Sequence, residues 1–151
     1  MGSGVRVERS EDLRLIRDLV LTCWDTIAED GQNAKDYFPN PSREAYLVAF
    51  VGDEPAGVLT ISSANASILH VHIHVDPSQR EQKYEIGQAL IDYIKGNTEF
   101  RSMVVYIPTI YPNVSGFAKR LGFVNVGTAA DGFLKNGELH DLEILQRKIE
   151  D

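Results

Sequence analysis

Three of the four histidines fall in one short run, Leu69-His70-Val71-His72-Ile73-His74-Val75. Alternation with apolar residues is the pattern of a β-strand, whose successive side chains point to opposite faces. His70, His72 and His74 therefore share one face, and Val71, Ile73 and Val75 the other. An imidazole titrates near pH 6.5, so a row of them suits proton transfer near neutrality. Histidines on one face also suit a shared metal ion, with Asp76 the one further residue of the right parity at the strand's end. A polar face that is merely solvated or hydrogen-bonded is the third reading. His140, beside Asp141 near the closing turn, reads as structural.

The elements that would position this row follow from periodicity and turn chemistry. Residues 5–8 read as a first strand. Ser10 is placed to cap a helix whose apolar stripe runs through Leu13, Ile16, Val20, Cys23, Trp24 and Ile27. A short second helix is expected over 34–38, ahead of Pro39 and Pro41. Residues 45–51 and 56–61 flank the turn Gly52-Asp53-Glu54-Pro55 as an antiparallel hairpin. The histidine strand, 67–75, stops at Asp76-Pro77. A helix over 82–95 ends near Gly96, and 103–107 reads as a strand covered on both faces. A helix over 114–121 precedes closing strands at 123–126 and 139–146, joined through the turn pair Asn136-Gly137. Strand–helix alternation is confined to the second half, which predicts an α+β domain rather than a doubly wound nucleotide fold.

Length and composition agree with one such domain. The chain has 151 residues, 43% hydrophobic and 25% charged, so extended disorder is excluded. Fifteen Lys and Arg against 22 Asp and Glu give a net charge of −7. That balance disfavours a binder of nucleic acid or anionic membrane and favours cationic partners. Cys23 is the only cysteine, which excludes an internal disulfide and reads as a buried helix residue; a reducing cytoplasm is the expected compartment. Residues 1–4 read as a tag or disordered start, leaving 5–151 as the domain.

In this order the segments resemble the GNAT superfamily of acetyl-CoA-dependent N-acetyltransferases. The likeness rests on Val75-Asp76-Pro77, then Arg80, then Ile86-Gly87-Gln88-Ala89-Leu90, as strand, phosphate loop and helix. Lys119-Arg120-Leu121-Gly122-Phe123 is similar to the family's late helix and Gly-Phe pair. Asn136-Gly137-Glu138 with Asp141 resembles the turn into its last strand. A narrower likeness to phage-encoded members has no diagnostic motif behind it. The resemblance implies a mixed central sheet of about six or seven strands flanked by about four helices. It also implies acetyl-CoA as cofactor and direct acetyl transfer to an amine acceptor, whether small molecule, peptide or modified base.

On this resemblance, main-chain groups of Ile73 and Val75 hold the pantetheine arm. The segment Gln82-Lys83-Tyr84-Glu85-Ile86-Gly87, with Arg80, receives the diphosphate at a helix N-terminus. Glu85 stands where the family has its first glycine, a departure that Arg80 and Lys83 would offset if Glu85 turns away. The histidine face would line the acceptor cleft, with His72 the base that takes a proton from the incoming ammonium. The family's tyrosine acid position falls on Ala118; Tyr111 and Tyr84 are the available substitutes, and Tyr111 is taken as the candidate. Asn113 would contact the pantetheine or cap the helix at Val114. Asp25, Glu29 and Asp30 would attract an amine or form a solvated face. No metal and no membrane are expected, and a second copy of the chain, as a homodimer, is the remaining partner. The reading opposed to an enzyme is a GNAT-like fold kept as a binding or structural module, as in phage assembly, which the changes at Glu85 and Ala118 favour.

Overall fold

The computed structural model describes residues 4–149; the expectation for residues 1–3 lies outside them. Seven strands form one sheet: β1 (Val5–Arg9), β2 (Ala45–Val51), β3 (Glu54–Ser63), β4 (Ile68–Val75), β5 (Ser102–Pro108), β6 (Val124–Lys135) and β7 (Glu138–Lys148). Their spatial order is β1-β2-β3-β4-β5-β7-β6. Four α-helices flank it: α1 (Leu13–Leu21), α2 (Trp24–Ile27), α3 (Lys83–Asn97) and α4 (Pro112–Arg120). This is the expected α+β architecture, at the upper end of the expected strand count.

Neighbouring strands are antiparallel except β4 and β5, which run parallel and pair only at Ile68–Ser102, Leu69–Met103 and His70–Val104. Beyond His70 the two strands part, and the sheet opens. Two cores clamp its two faces. On one, Ile86, Leu90, Ile91 and Ile94 of α3 pack with Val71, Val75, Met103, Ile107 and Leu121. Burying each such side chain stabilises by roughly 1.5–3 kcal/mol, an upper figure since the unfolded chain is already partly collapsed. On the other, Ile16, Leu19 and Val20 of α1 cover Tyr46, Val48 and Val58.

Four local expectations are corrected. The stripe from Leu13 to Ile27 is not one helix: it breaks at Thr22-Cys23, where the Thr22 hydroxyl donates back to the Leu19 carbonyl at 2.6 Å. Its N-cap is Asp12, which accepts from Leu15 N at 3.2 Å, while Ser10 accepts one turn earlier from Asp12 N. Residues 34–38 form only a 3₁₀ turn, Ala34–Asp36. Helix α3 passes through Gly96 to Asn97. The hairpin turn is as expected, with Asn136 and Gly137 both at positive φ (53° and 79°), as a two-residue turn of matching twist requires.

Gly87 is buried where α3 meets α4, and a Cβ there would stand 2.8 Å from both Leu121 Cδ1 and Phe117 Cζ. Gly87→Ala is expected to lower stability by about 1–3 kcal/mol through overpacking, read as a fall in thermal midpoint with the same unfolding cooperativity.

Candidate functional site

Where β4 and β5 part, a cleft of about 950 Å³ passes through the sheet. Its walls on the α3 side include Lys83, Phe117 and Leu121; on the α1 side they include the three histidines, Tyr37 and Glu44. The strand register fixes which backbone groups face it. Asp76 N donates to Ala56 O at 2.8 Å, and Ile68 O accepts from Ala64 N at 2.9 Å. N–H and C=O groups alternate in direction along a strand, so even-numbered residues of β4 bond to β3. The main-chain groups of Ile73 and Val75 then turn toward the opening. Val75 O there accepts from the Cys23 thiol at 3.4 Å. Cys23 was expected to be a buried helix residue; it sits instead in the cleft wall between α1 and α2, and burial raises its pKa.

The expected phosphate segment divides into two sets. Arg80 and Lys83 line the cleft at the start of α3, and the α3 N-cap, Gln82, makes no side-chain capping bond. Lys83 lies over the Phe117 ring at 4.4 Å, and burial lowers its pKa. Glu85 is exposed and points away from the cleft, so it does not oppose an anion there. Ile86 and Gly87 are buried in the core and offer backbone only. Tyr84 lies under the Arg120 guanidinium at 4.7 Å, outside the cleft. Asn113 is exposed, lines nothing, and does not cap α4; Tyr111 holds the cap position and Pro112 starts the helix.

The histidine row shares one face as the alternation requires. His70 and His72 meet edge-on at 4.9 Å between centroids, and His72 stacks on His74 at 6.1 Å. Each ring keeps part of its surface open to the cleft but is otherwise enclosed by protein. That enclosure pushes His72 down to about 3, helped by His74 and His70, and His74 down to about 4. A base titrating near neutrality is therefore not what the His72 environment provides: the ring is neutral and weakly basic at pH 7. His70 Nε2 is buried without a hydrogen-bond partner, its ring edge-on to Tyr106 at 5.2 Å. Among the described residues no group of three His, Cys, Asp or Glu is arranged to hold a metal ion.

Tyr111 lines the cleft, but its hydroxyl donates to the Asp25 carbonyl at 3.0 Å; burial and the Asp25 carboxylate raise its pKa. Ala118 lines the cleft as well and offers no hydroxyl. Asp30 is exposed, as a solvated face requires, yet its carboxylate and that of Glu29 are also bonded. Asp30 accepts from Asn136 N at 2.9 Å and Gly137 N at 2.7 Å, and Glu29 accepts from Leu134 N at 2.8 Å. Lys135 Nζ donates to the Asp25 and Ala28 carbonyls at 3.1 and 2.7 Å. These bonds strap the tip of the β6–β7 hairpin to the segment after α2.

Sequence reasoning missed Glu44 and Thr60 in the cleft wall. Tyr46 pairs with Thr60 and Thr60 with His72, so the parity of the β2–β3–β4 meander carried the signal once its register was known. The charged side chains lining the cleft are Arg80 and Lys83, with Asp76 at the same end of β4, and Asp25, Glu29 and Glu44 further along it.

No family model and no curated protein matches this chain. Solved structures match it over nearly their whole length. One is RimL, a ribosomal L7/L12 alpha-N-protein acetyltransferase in complex with coenzyme A, at 17% identity and TM-score 0.77, covering 99% of this chain and 96% of that one. Another is spermidine N-acetyltransferase from Vibrio cholerae in complex with CoA and spermine, at 15% identity and TM-score 0.77, covering 97% and 96%. A third is an acetyltransferase of the GNAT family from Streptococcus pneumoniae, at 11% identity and TM-score 0.72, covering 95% and 99%. The fold is that of the GNAT acetyltransferases.

Two expectations follow from this geometry. An unfolded histidine titrates near 6.5 and His72 and His74 far lower, so below pH 6.5 the unfolded chain binds more protons than the folded one. Stability should therefore fall as pH drops from about 6.5 toward 4, and His72→Gln should flatten the pH dependence of the thermal midpoint. Asp30→Ala should speed amide exchange at Asn136 and Gly137 and leave exchange within α3 unchanged.

Proposed function

We propose that the protein transfers an acetyl group from acetyl-CoA to a primary amine by direct attack. The observation that carries this reading is the parting of β4 and β5, with main-chain groups of Ile73 and Val75 turned toward the opening beside a cationic helix start. The residues present fit the cofactor. Ile73 and Val75 would pair with its amide groups once Cys23 releases Val75 O. Arg80, Lys83 and the positive end of the α3 dipole would meet its diphosphate. Lys83 is preset for this by the Phe117 ring beneath it. When bound, acetyl-CoA supplies an activated thioester carbonyl.

The chain's own contribution is mainly orientation and exclusion of water. The carboxylates on the α1 side draw a cationic acceptor into the cleft. His72 and His74, neutral at pH 7, accept hydrogen bonds from the amine and hold its lone pair toward the opening. A proton shed by an amine titrating near 10 does not rest on a ring titrating near 3. It leaves to water along the cleft. Tyr111 would act as acid toward a departing thiolate only after giving up its bond to Asp25.

The fold neighbours act on a polyamine and on a protein N-terminus by their names, which is consistent with an amine acceptor here. Ala118 favours a second reading, a module that binds the cofactor without turnover. Titration calorimetry decides first: micromolar acetyl-CoA affinity is expected, about −8 kcal/mol. Arg80→Ala and Lys83→Ala should each weaken it about tenfold, since each removes a charge-assisted phosphate contact. Absence of binding at millimolar acetyl-CoA would refute the transferase. Binding with no thiol release over a panel of amines would leave only the module.

A further inference from the structure

We propose that the α1-side arm of the cleft is a subsite for a linear acceptor carrying a second positive charge, with Glu44 as the residue that recognises it. The inference rests on the transferase reading and names its acceptor class. Asp30, Glu29, Lys135 and Tyr111 tie the segment after α2 to the β6–β7 hairpin and to α4, and Gln32, Gly132 and Phe133 form the cleft wall on that flank. The cleft runs along β4, from Val75 past the histidines to Ser62, Ser63 and Ala64 at the β3–β4 turn. From His74 to His70 it covers four residues, about 13 Å at the usual strand rise. Such a corridor admits an unbranched chain lengthwise.

Glu44 stands at the far end. It directly precedes Ala45, which pairs with Ile61, and continuing that register by one residue sets Glu44 beside Ser62, itself opposite His70. Glu44 Oε1 accepts from the Tyr46 hydroxyl at 2.9 Å, and Tyr46 in turn accepts from Asn40 N at 2.7 Å. Tyr46 is almost wholly buried, so the carboxylate is held by a rigid partner rather than swinging in solvent. Tyr37 and Tyr106 also wall the cleft, and the burial of Tyr37 together with the Glu44 charge pushes its hydroxyl up to about 12. Arg17, a cation beside Tyr37, is engaged with backbone: it donates to the Tyr37 and Ala34 carbonyls at 2.8 and 3.2 Å. Between Glu44 and the opening the wall carries Thr60 and the three histidines, polar and neutral at pH 7. A chain with an amine at each end fits this sequence of surroundings: one end by the neutral rings near the thioester, the other against the carboxylate and aromatic faces.

The test is calorimetric titration with hexane-1,6-diamine and with hexylamine, each with and without saturating acetyl-CoA. The diamine is expected to bind at least tenfold more tightly than the monoamine. Shortening it to ethane-1,2-diamine, which cannot span the corridor, should abolish the advantage. Glu44→Gln keeps an acceptor for the Tyr46 hydroxyl, and in that variant the ratio of diamine to monoamine affinity should fall close to one. Equal affinity for both amines in the native protein overturns the subsite, as does an advantage that survives Glu44→Gln. The two readings fail separately. A protein that binds acetyl-CoA but does not discriminate between the amines loses the subsite alone. One that prefers the diamine but ignores acetyl-CoA loses the transferase and keeps the subsite.

Discussion

Strands β4 and β5 share three residue pairs and then separate, and every feature of the site depends on that separation. A backbone N–H or C=O left without a partner inside a protein costs about 1–3 kcal/mol. An open seam in the middle of a sheet is therefore held apart by the rest of the fold. Helix α3 and the α1 core each clamp the β4 side, and β7 pairs along the whole of β5 from Ser102 to Pro108. Helix α4 follows β5 directly and is fixed to β7 by the Ser115 hydroxyl, which donates to Glu143 at 2.5 Å. The two halves are thus rigid on either side of a gap. Cys23 satisfies one carbonyl on its edge, and the rest of that edge is available to a ligand with amide groups.

The same seam orders the electrostatics. Arg80, Lys83 and a helix start meet the gap at the end of β4 where Asp76 also lies, and Asp25, Glu29, Glu44 and the neutral imidazoles line the rest of the cleft. An acidic chain of net charge −7 still presents two cations, Arg80 and Lys83, at this cleft. The enclosure that makes the histidines poor bases also keeps them uncharged, so they do not repel a cationic acceptor. Their depressed titration and the acidic wall work in the same direction.

Much of the framework was legible in the sequence because it rests on local rules. Alternation placed three histidines on one face, and Asn136-Gly137 announced its hairpin. The apolar spacing of Ile86, Leu90 and Ile94 gave α3. What local rules do not contain is where two strands stop pairing. The roles of Cys23, Glu44 and Thr60 follow from that register, and no motif marks them. Glu29 and Asp30 show the converse limit: an exposed acidic helix end does not announce the N–H donors that a hairpin about a hundred residues later brings to it. Gly87, taken with the phosphate segment, is required instead by the close approach of Leu121 and Phe117. Glu85 was a departure in pattern only, since the helix turns it to solvent.

The central claim is that the free edge of β4 seats the cofactor, and residue-resolved amide exchange measures it directly. Adding acetyl-CoA should slow exchange at Ile73 and Val75, whose N–H groups face the seam. It should leave His72 and His74, already bonded to β3, nearly unchanged. Exchange at Ile73 and Val75 that ignores saturating acetyl-CoA would contradict the account, even if the protein bound the molecule elsewhere.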